Sequence, residues 1–303
     1  MNRNLFNMKK TALAIMSCIM LFLIPCTLTT QAQQNSQTKQ RERGAVIYDL
    51  PRVDEVIIKK DIPYQDIAGS TLKMDIYYPP DFDFQTKVPA IIIVWGFSDI
   101  AGEKLLGSEF KNYIQYVSWC KIISASGMAA IAYETINPEK DIISLSNYLK
   151  ANADKLKIDN GNIGAFTCSG HTPTAVSNIL NGSNSIFKCA VVYYGVLLTK
   201  DFKYLSQIDS LIQSRGALTP TLPDPSTWKK DVPIMIVRAG NDNTPYLNLS
   251  ITNFYEKALN QNLPITLINY SEGLHGFEIY NDNETTRQII KNTIEFWKSN
   301  LKQ

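Results

Sequence analysis

The sequence predicts one α/β domain with a mostly parallel sheet, and two observations lead to this prediction. Apolar runs typical of strands alternate along the chain with segments whose apolar residues recur at helical spacing. Several runs, such as Ala90 to Trp95 and Met128 to Tyr133, are continuously apolar, as in strands buried on both faces of a parallel sheet. The 303 residues are 45% hydrophobic and 19% charged, which is enough apolar material for one large core.

The elements follow from these patterns in chain order. The predicted strands are Val56 to Lys60, Leu72 to Tyr78, Ala90 to Trp95, Met128 to Tyr133, Ile163 to Thr167, Ala190 to Tyr194, Val232 to Val237 and Ile265 to Tyr270. The predicted helices are 110–123, Ile142 to Leu156, Ala175 to Leu180 and a last helix that carries Ile290, Ile294, Trp297 and Leu301 on one face. We assign the domain to residues 51–303.

The N-terminus has the pattern of a secretory signal. Arg3, Lys9 and Lys10 precede an apolar run, and Thr30-Gln-Ala32 supplies small residues at a cleavage site. We expect residues 1–32 to be a signal peptide cleaved after Ala32, residues 33–50 to be flexible, and the protein to be periplasmic or secreted. The run is short for a membrane span, which favours cleavage; an uncleaved anchor is the alternative. After cleavage we expect no stable membrane insertion.

Charge and cysteine content exclude several function classes. Cleavage removes three basic residues and no acidic ones, so the net charge goes from +2 to −1 and no basic surface indicates a nucleic-acid partner. Cys120, Cys168 and Cys189 then remain, and buried free thiols are favoured over one disulfide. The sequence contains no cluster of cysteine and histidine, so no metal site is predicted.

One segment lacks a core pattern. Residues 199–230 contain one glycine and three prolines between two predicted strands. In such sheets ligands bind at the carboxyl ends of the strands. We therefore interpret 199–230 as a small lid-like insertion over the active site.

The stretch from Ile163 to Ala175 predicts a strand, a sharp turn and a helix, with Ser169 at the turn. Such a turn strains the backbone and pushes the serine hydroxyl outward. The following N–H groups, first that of Gly170, lie at a helix N-terminus and can hold a negative oxygen. One short segment thus offers a nucleophile and half of an oxyanion hole.

A serine nucleophile needs a base and an acid that orients the base. His275 lies between Gly273 and Gly276 in a loop before the last helix, whereas His171 is too near Ser169 in sequence to face its hydroxyl. Asp242 follows the strand that ends at Val237 and is preferred as the acid over Asp231, which precedes that strand.

The second oxyanion donor should come from the loop after the first long buried strand. There the N–H of Phe97 is the candidate, since Gly96 before it allows a close approach of the backbone. Both predicted donors, the N–H groups of Gly170 and Phe97, are therefore backbone groups.

These pieces resemble the α/β-hydrolase superfamily, in its esterase and dienelactone-hydrolase-like branch. The matching motifs are Pro63-Tyr64, 72–79, 91–97, 163–169, Arg238-Ala-Gly-Asn-Asp242 and His275-Gly-Phe277. The resemblance covers about residues 55 to 300. It implies an α/β-hydrolase fold with an eight-stranded sheet, helices on both faces, and Ser169, Asp242 and His275 as a catalytic triad that needs no cofactor.

The chain departs from the family pattern at the elbow. Thr167-Cys-Ser-Gly-His171 stands where Gly-x-Ser-x-Gly is usual, and Val94-Trp-Gly-Phe97 replaces the usual His-Gly-Gly loop. Dienelactone hydrolases use a cysteine, so Cys168 is an alternative nucleophile; it would place bulky Phe166 where a small residue is needed. The candidate residues of the substrate pocket are Trp95, Cys168 and His171.

The function predicted from the sequence is that of an exported serine hydrolase acting on a carboxylic ester or lactone, with a small-molecule or saccharide ester as substrate. Two alternatives stay open. One is a non-catalytic binding or accessory protein with the same fold, suggested by His171 and the altered oxyanion loop. The other is a Cys168-dependent, dienelactone-hydrolase-like enzyme. Peptide hydrolysis by the same triad is less favoured.

Overall fold

The computed structural model describes residues 42–67, 69–180, 185–214 and 222–301. Within them, eight strands form one sheet in the order β1-β2-β4-β3-β5-β6-β7-β8. The strands are β1 Ile57–Ile67, β2 Ser70–Tyr78, β3 Val88–Ile93, β4 Ala129–Tyr133, β5 Ile158–Cys168, β6 Phe187–Tyr193, β7 Ile234–Ala239 and β8 Ile265–Tyr270. The β1–β2 and β2–β4 pairs are antiparallel and the other pairs are parallel. The predicted eight-stranded, mostly parallel sheet is confirmed.

Helices connect the strands. Within the described ranges the α-helices are α1 Asp99–Leu106, α2 Ile114–Ala125, α3 Pro138–Leu156, α4 Thr172–Leu180, α5 Leu205–Gln213, α6 Leu247–Asn260, α7 Phe277–Tyr280 and α8 Glu284–Asn300. The helix predicted over 110–123 is divided, because Tyr113 is extended between a 3₁₀ turn at Phe110–Asn112 and α2. None of these helices is long and apolar enough to cross a membrane.

The core lies on both faces of the central strands. Every residue of β3 and β4 is buried, which requires packed cover on each face. On one face α2 and α8 meet through Trp119 and Trp297, whose rings are 6.1 Å apart and edge to face. Both rings also pack against Phe166 of β5, at 4.7 and 6.0 Å. This aromatic cluster fixes the strand that leads to Ser169.

Residues 42–50 are the described part of the segment 33–50 that was predicted to be flexible, and they are packed into the fold. Val46 and Ile47 are buried, with 2% and 4% of their surface exposed. The Val46 N–H donates to the Ser118 hydroxyl at 2.8 Å, and the Ile47 N–H donates to the Glu278 carbonyl at 2.6 Å. Residues 42–50 are therefore docked by apolar burial and hydrogen bonds. The predicted signal 1–32 and residues 33–41 lie outside the described residues.

The described residues of the 199–230 insertion pack beside α6. Trp228 stacks near Phe254 at 5.1 Å, and the Tyr204 ring stacks on Tyr246 at 4.4 Å. The Thr199 hydroxyl is also hydrogen-bonded to the Asn253 side chain at 2.8 Å. Residues 215–221 of the predicted lid lie outside the described residues.

Candidate active site

Ser169 lies at a strained turn between β5 and α4. Cys168 is still extended, with φ −147° and ψ 159°, and Ser169 then takes a φ of +52°. Positive φ is costly for a serine, so tertiary contacts must hold it. One such contact is the hydrogen bond from the Val196 N–H to the Ser169 carbonyl at 3.1 Å. A 3₁₀ turn at Ser169–His171 leads into α4, and Ser169 remains half-buried between buried neighbours.

His275 and Asp242 form a direct pair. The Nδ1 of His275 lies 2.6 Å from Oδ2 of Asp242. The aspartate side chain is fully covered, while 38% of the histidine side chain is exposed. In the tautomer where Nδ1–H donates to the carboxylate, the Nε2 lone pair is free to accept a proton. The pair is thus arranged as a base with an orienting acid.

Backbone contacts between the loops after β7 and β8 bring this pair together. The Gly240 N–H donates to the Tyr270 carbonyl at 2.7 Å, and the Asn241 N–H donates to the Gly273 carbonyl at 2.8 Å. A Cβ at Gly240 would lie 2.2 Å from the Ser271 carbonyl oxygen, so this approach requires glycine. The two loops run side by side because of these contacts.

The electrostatics of Asp242 fit an ionised acid. Burial alone would raise the pKa of its carboxyl, but hydrogen bonds from His275 and from the Thr244 N–H outweigh burial, and the pKa is lowered. The Thr244 N–H reaches Oδ1 at 2.8 Å. By contrast, the Asp231 side chain is 74% exposed and lies 3.7 Å from Lys229. The geometry therefore favours Asp242 over Asp231.

Ser169 and His275 line one cavity of about 330 Å³ at the carboxyl ends of the parallel strands. Its lining residues are Phe97, Leu105, Leu106, Phe110, Tyr113, Gln115, Tyr116, Cys168, Ser169, Gly170, His171, Tyr194, His275, Gly276, Ile279 and Tyr280. Residues 215–221 of the predicted lid lie outside the described residues, so its placement over the site stays a prediction. The described residues of 199–230 are not in this lining. Their apolar side chains pack beside α6 instead.

The loop after β3 presses directly on the elbow. A Cβ at Gly96 would lie 2.7 Å from Cα of His171 and 2.9 Å from the Gly170 carbonyl. A Cβ at Gly170 would lie 2.7 Å from the Phe97 ring. The structure thus brings Phe97 and Gly170, whose N–H groups are the predicted oxyanion donors, against each other beside Ser169.

His171 is accommodated at the elbow as a buried neutral imidazole. It is 5% exposed, and its Nδ1 accepts the Gly96 N–H at 2.9 Å. Burial lowers the pKa of His171 to about 3. The ring is therefore uncharged at ordinary pH and acts as an acceptor, and its bulk does not prevent the strand–turn–helix geometry.

Of the two other predicted pocket residues, Cys168 lines the cavity and Trp95 does not. Burial raises the pKa of the Cys168 thiol to about 12, and Sγ lies 3.6 Å from the Tyr116 hydroxyl. A thiol of that pKa supplies little thiolate at neutral pH.

Trp95 is fully buried and is not in the cavity lining, because it lies against His171 and donates its Nε1–H to the Tyr133 carbonyl at 2.8 Å. Cys120, Cys168 and Cys189 are all buried and unpaired, as predicted.

A buried carboxyl beside the cavity was not predicted. Glu278 is fully buried, and its Oε1 accepts the Tyr194 hydroxyl at 2.5 Å and the Gln115 amide at 2.7 Å. Burial raises the pKa of Glu278. The Tyr194 ring lies 4.5 Å from the His275 ring. One feature of the sequence could have pointed to a role for Glu278 near the site: it directly follows His275-Gly-Phe277.

Comparison with known proteins gives structural likeness without sequence likeness. A scan against protein-family models and a search of curated protein sequences both find no match. Among solved structures, the chain is similar to the native esterase 2 of Thermogutta terrifontis, with a TM-score of 0.62 and 19% identity over 81% of this chain and 92% of that one.

Two further structures show the same likeness. The butyrate-bound form of that esterase has a TM-score of 0.61 and 18% identity, covering 84% of this chain and 98% of the esterase. Dipeptidyl peptidase 4 of Porphyromonas gingivalis has a TM-score of 0.59 and 15% identity, covering 81% of this chain but 35% of the peptidase. Identities this low carry the fold alone. Together with the strand order, these likenesses show that the chain has the α/β-hydrolase fold.

Proposed function

We propose that the protein is a serine hydrolase that cleaves a neutral carboxylic ester or lactone through an acyl-enzyme. The observation that carries the proposal is the His275–Asp242 hydrogen bond at 2.6 Å in a site whose cavity is shared by His275 and Ser169. A strained serine that shares a cavity with an oriented base is the arrangement that nucleophilic acyl transfer needs.

In the proposed first step the Ser169 Oγ attacks the acyl carbon while its proton passes to Nε2 of His275. The carbonyl oxygen becomes an oxyanion, which the N–H groups of Phe97 and Gly170 stabilise. Asp242 stays ionised and stabilises the imidazolium that forms. The imidazolium then gives its proton to the leaving alcohol, and the acyl group remains on Ser169.

In the second step water replaces the alcohol. His275 removes a proton from the water, whose oxygen attacks the acyl carbon, and a second oxyanion forms in the same place. Its collapse returns the proton from His275 to Ser169 and releases the carboxylic acid. This chemistry calls for no cofactor.

The cavity supports a small, uncharged substrate. Its lining, as far as the chain is described, contains aromatic and aliphatic side chains and no Lys, Arg, Asp or Glu. An anionic substrate would need a cation there; Arg238 lies outside the cavity and donates to Asn269 at 2.8 Å. The Thermogutta esterase has been solved with butyrate and with propionate bound, which supports a short acyl group. The alcohol portion, including a saccharide, is left open.

The Cys168-dependent enzyme and the non-catalytic binding protein are less well supported. A buried thiol of raised pKa is a poor nucleophile, and the neutral His171 fits the elbow. Export also belongs to the proposal and rests on the pattern of residues 1–32. N-terminal sequencing of protein recovered outside the cytoplasm tests it, with Gln33 expected as the first residue and Met1 contradicting cleavage.

Steady-state hydrolysis of 4-nitrophenyl acetate, butyrate and octanoate, together with the 4-nitrophenyl monoester of succinic acid, tests the enzyme proposal. We expect kcat/KM to be highest for acetate or butyrate and lowest for the negatively charged succinate ester. Ser169→Ala should lower kcat by at least about 10³-fold, and Cys168→Ala should leave it within about threefold. Equal activity of Ser169→Ala and wild type would contradict the proposal.

A further inference from the structure

The hydrogen bond between His171 and Gly96 joins the two segments that form the proposed oxyanion hole. Gly96 precedes Phe97 in the loop after β3, and His171 follows Gly170 in the turn after β5. The Gly96 N–H donates to Nδ1 of His171 at 2.9 Å, and this bond is buried. One side chain of the elbow therefore holds the peptide directly before Phe97.

The aromatic surroundings leave the imidazole little freedom. The rings of Trp95, Phe97, Phe110 and Tyr116 lie 5.5, 5.0, 4.7 and 5.9 Å from it and are steeply inclined to it. None of these groups carries a charge at neutral pH. A ring packed in this way has a fixed acceptor direction.

The chemistry of the imidazole matches this contact. A ring nitrogen that accepts an N–H must be unprotonated, so the proton of neutral His171 lies on Nε2. Protonation of Nδ1 would place two donors against each other. A Cβ at Gly96 would lie 2.7 Å from the His171 backbone, so the loop and the elbow are in direct backbone contact at this bond.

We propose that His171 is a positioning residue that sets the Phe97 N–H for the oxyanion by accepting the Gly96 N–H. The inference rests on the proposed serine hydrolase function and deepens it. It assigns a role to the residue by which this elbow departs from Gly-x-Ser-x-Gly. A donor that is displaced by a fraction of an ångström loses much of its effect in the transition state but little in substrate binding.

Two substitutions in the full chain separate the acceptor from the bulk of the ring. His171→Phe keeps a ring and removes the acceptor, while His171→Asn keeps an acceptor near the position of Nδ1 and removes the ring. We expect His171→Phe to lower kcat for 4-nitrophenyl butyrate by about 10- to 100-fold with KM within threefold of wild type. We expect His171→Asn to retain kcat within about fivefold. A folded His171→Phe with wild-type kcat, or an equal loss of kcat in both variants, overturns the proposal.

A fluorophosphonate probe distinguishes this failure from failure of the proposed function. If wild type is labelled at Ser169 and His171→Phe reacts as fast as wild type, the positioning role alone is overturned. If wild type is not labelled at all, the hydrolase function fails and the role of His171 fails with it.

Nitrogen-15 NMR tests the contact in the unmodified sequence, and it applies even if His171→Phe does not fold. The chain has two histidines, so selective labelling gives two imidazole spin systems, which His171→Asn assigns. The proposal expects His171 to have an unprotonated Nδ1 and a protonated Nε2 from pH 5 to 8. The opposite tautomer, or titration of His171 within that range, overturns it.

Discussion

The two halves of the site are held in place by different kinds of contact. The acid–base half, residues 239–242 and 270–276, is joined by backbone hydrogen bonds at 2.7 and 2.8 Å between the loops after β7 and β8. The oxyanion half, residues 94–97 and 168–172, is joined by a bond from a backbone N–H to a side chain, Gly96 to His171 at 2.9 Å. Both halves need a glycine for the close approach of backbone, Gly240 in one and Gly96 in the other, but the oxyanion half also depends on one imidazole and the rings around it.

This difference shows where a departure from a family pattern can be tolerated. Backbone contacts require that Gly240 has no side chain, and little else about the sequence matters. The oxyanion half instead replaces the customary second glycine of the elbow with a side chain that forms a contact of its own. A bulky residue at position 171 is therefore a different solution for the same geometry, provided that its ring is neutral and enclosed.

The largest expected effect comes from breaking the acid–base half. Asp242→Asn keeps the shape of the side chain but removes the charge that orients His275, so we expect kcat to fall by about 10⁴-fold. Asp231→Asn is the matched control, since that side chain is 74% exposed, and its kcat should stay within twofold. Steady-state ester hydrolysis measures both; a fall of less than tenfold in Asp242→Asn would exclude Asp242 as the acid.

The folded protein should lose stability in acid because of His171, which lies in the oxyanion half. Burial lowers the pKa of His171 in the folded protein to about 3, from the ordinary 6.5, so the folded state favours the neutral ring. That stabilisation is complete above pH 6.5 and is lost progressively as the pH falls toward 3. Its upper bound is about 5 kcal/mol, from 1.36 kcal/mol for each pKa unit. Urea unfolding of wild type and His171→Asn at pH 4 and pH 7 should show a much smaller pH dependence in the variant; parallel curves would contradict this.

Added methyl groups should distinguish the two halves by stability. In Gly240→Ala the new Cβ meets the Ser271 backbone at 2.2 Å, and we expect a loss of about 3 kcal/mol of unfolding free energy. In Gly170→Ala the new Cβ meets the Phe97 ring at 2.7 Å, and this ring can rotate, so we expect a loss of about 1 kcal/mol. Urea unfolding gives both values, and equal losses would show that the two halves are equally rigid.

The smallest expected effect concerns the Tyr194 hydroxyl. Tyr194→Phe removes its bond to buried Glu278, and Tyr193→Phe removes a buried bond to Thr293 at 2.7 Å that lies outside the cavity lining. We expect each variant to lose about 1–2 kcal/mol of stability. Because the Tyr194 ring lies 4.5 Å from His275, only Tyr194→Phe should change kcat, by a few-fold. Equal kcat in the two variants would rule out a role for the Tyr194 hydroxyl at the site.

The sequence predicted the central sheet well because its strands are buried on both faces and read as unbroken apolar runs. It marked β1 only as far as Lys60, although the strand continues to Ile67, because most of this edge strand faces solvent. It also missed α6, whose buried residues Leu247, Ile251, Phe254 and Ala258 do recur at helical spacing.

Contacts between distant segments could not be predicted. The chain order of Ser169, Asp242 and His275 was readable, since each follows a strand. The bond from Gly96 to His171 spans 75 residues and depends on how closely two loops approach. Likewise, the docking of Val46 and Ile47 could not be predicted from the short apolar run that contains them, because their partners Ser118 and Glu278 lie in distant helices.

The central claim, that Ser169 is an activated nucleophile, is tested most directly by a fluorophosphonate probe with intact-mass detection. Wild type, Ser169→Ala and Cys168→Ala would be treated alike, and circular dichroism would confirm that each is folded. We expect a single adduct on wild type and on Cys168→Ala and none on Ser169→Ala. An adduct lost only in Cys168→Ala would move the nucleophile by one residue, and no adduct on folded wild type would contradict the hydrolase proposal.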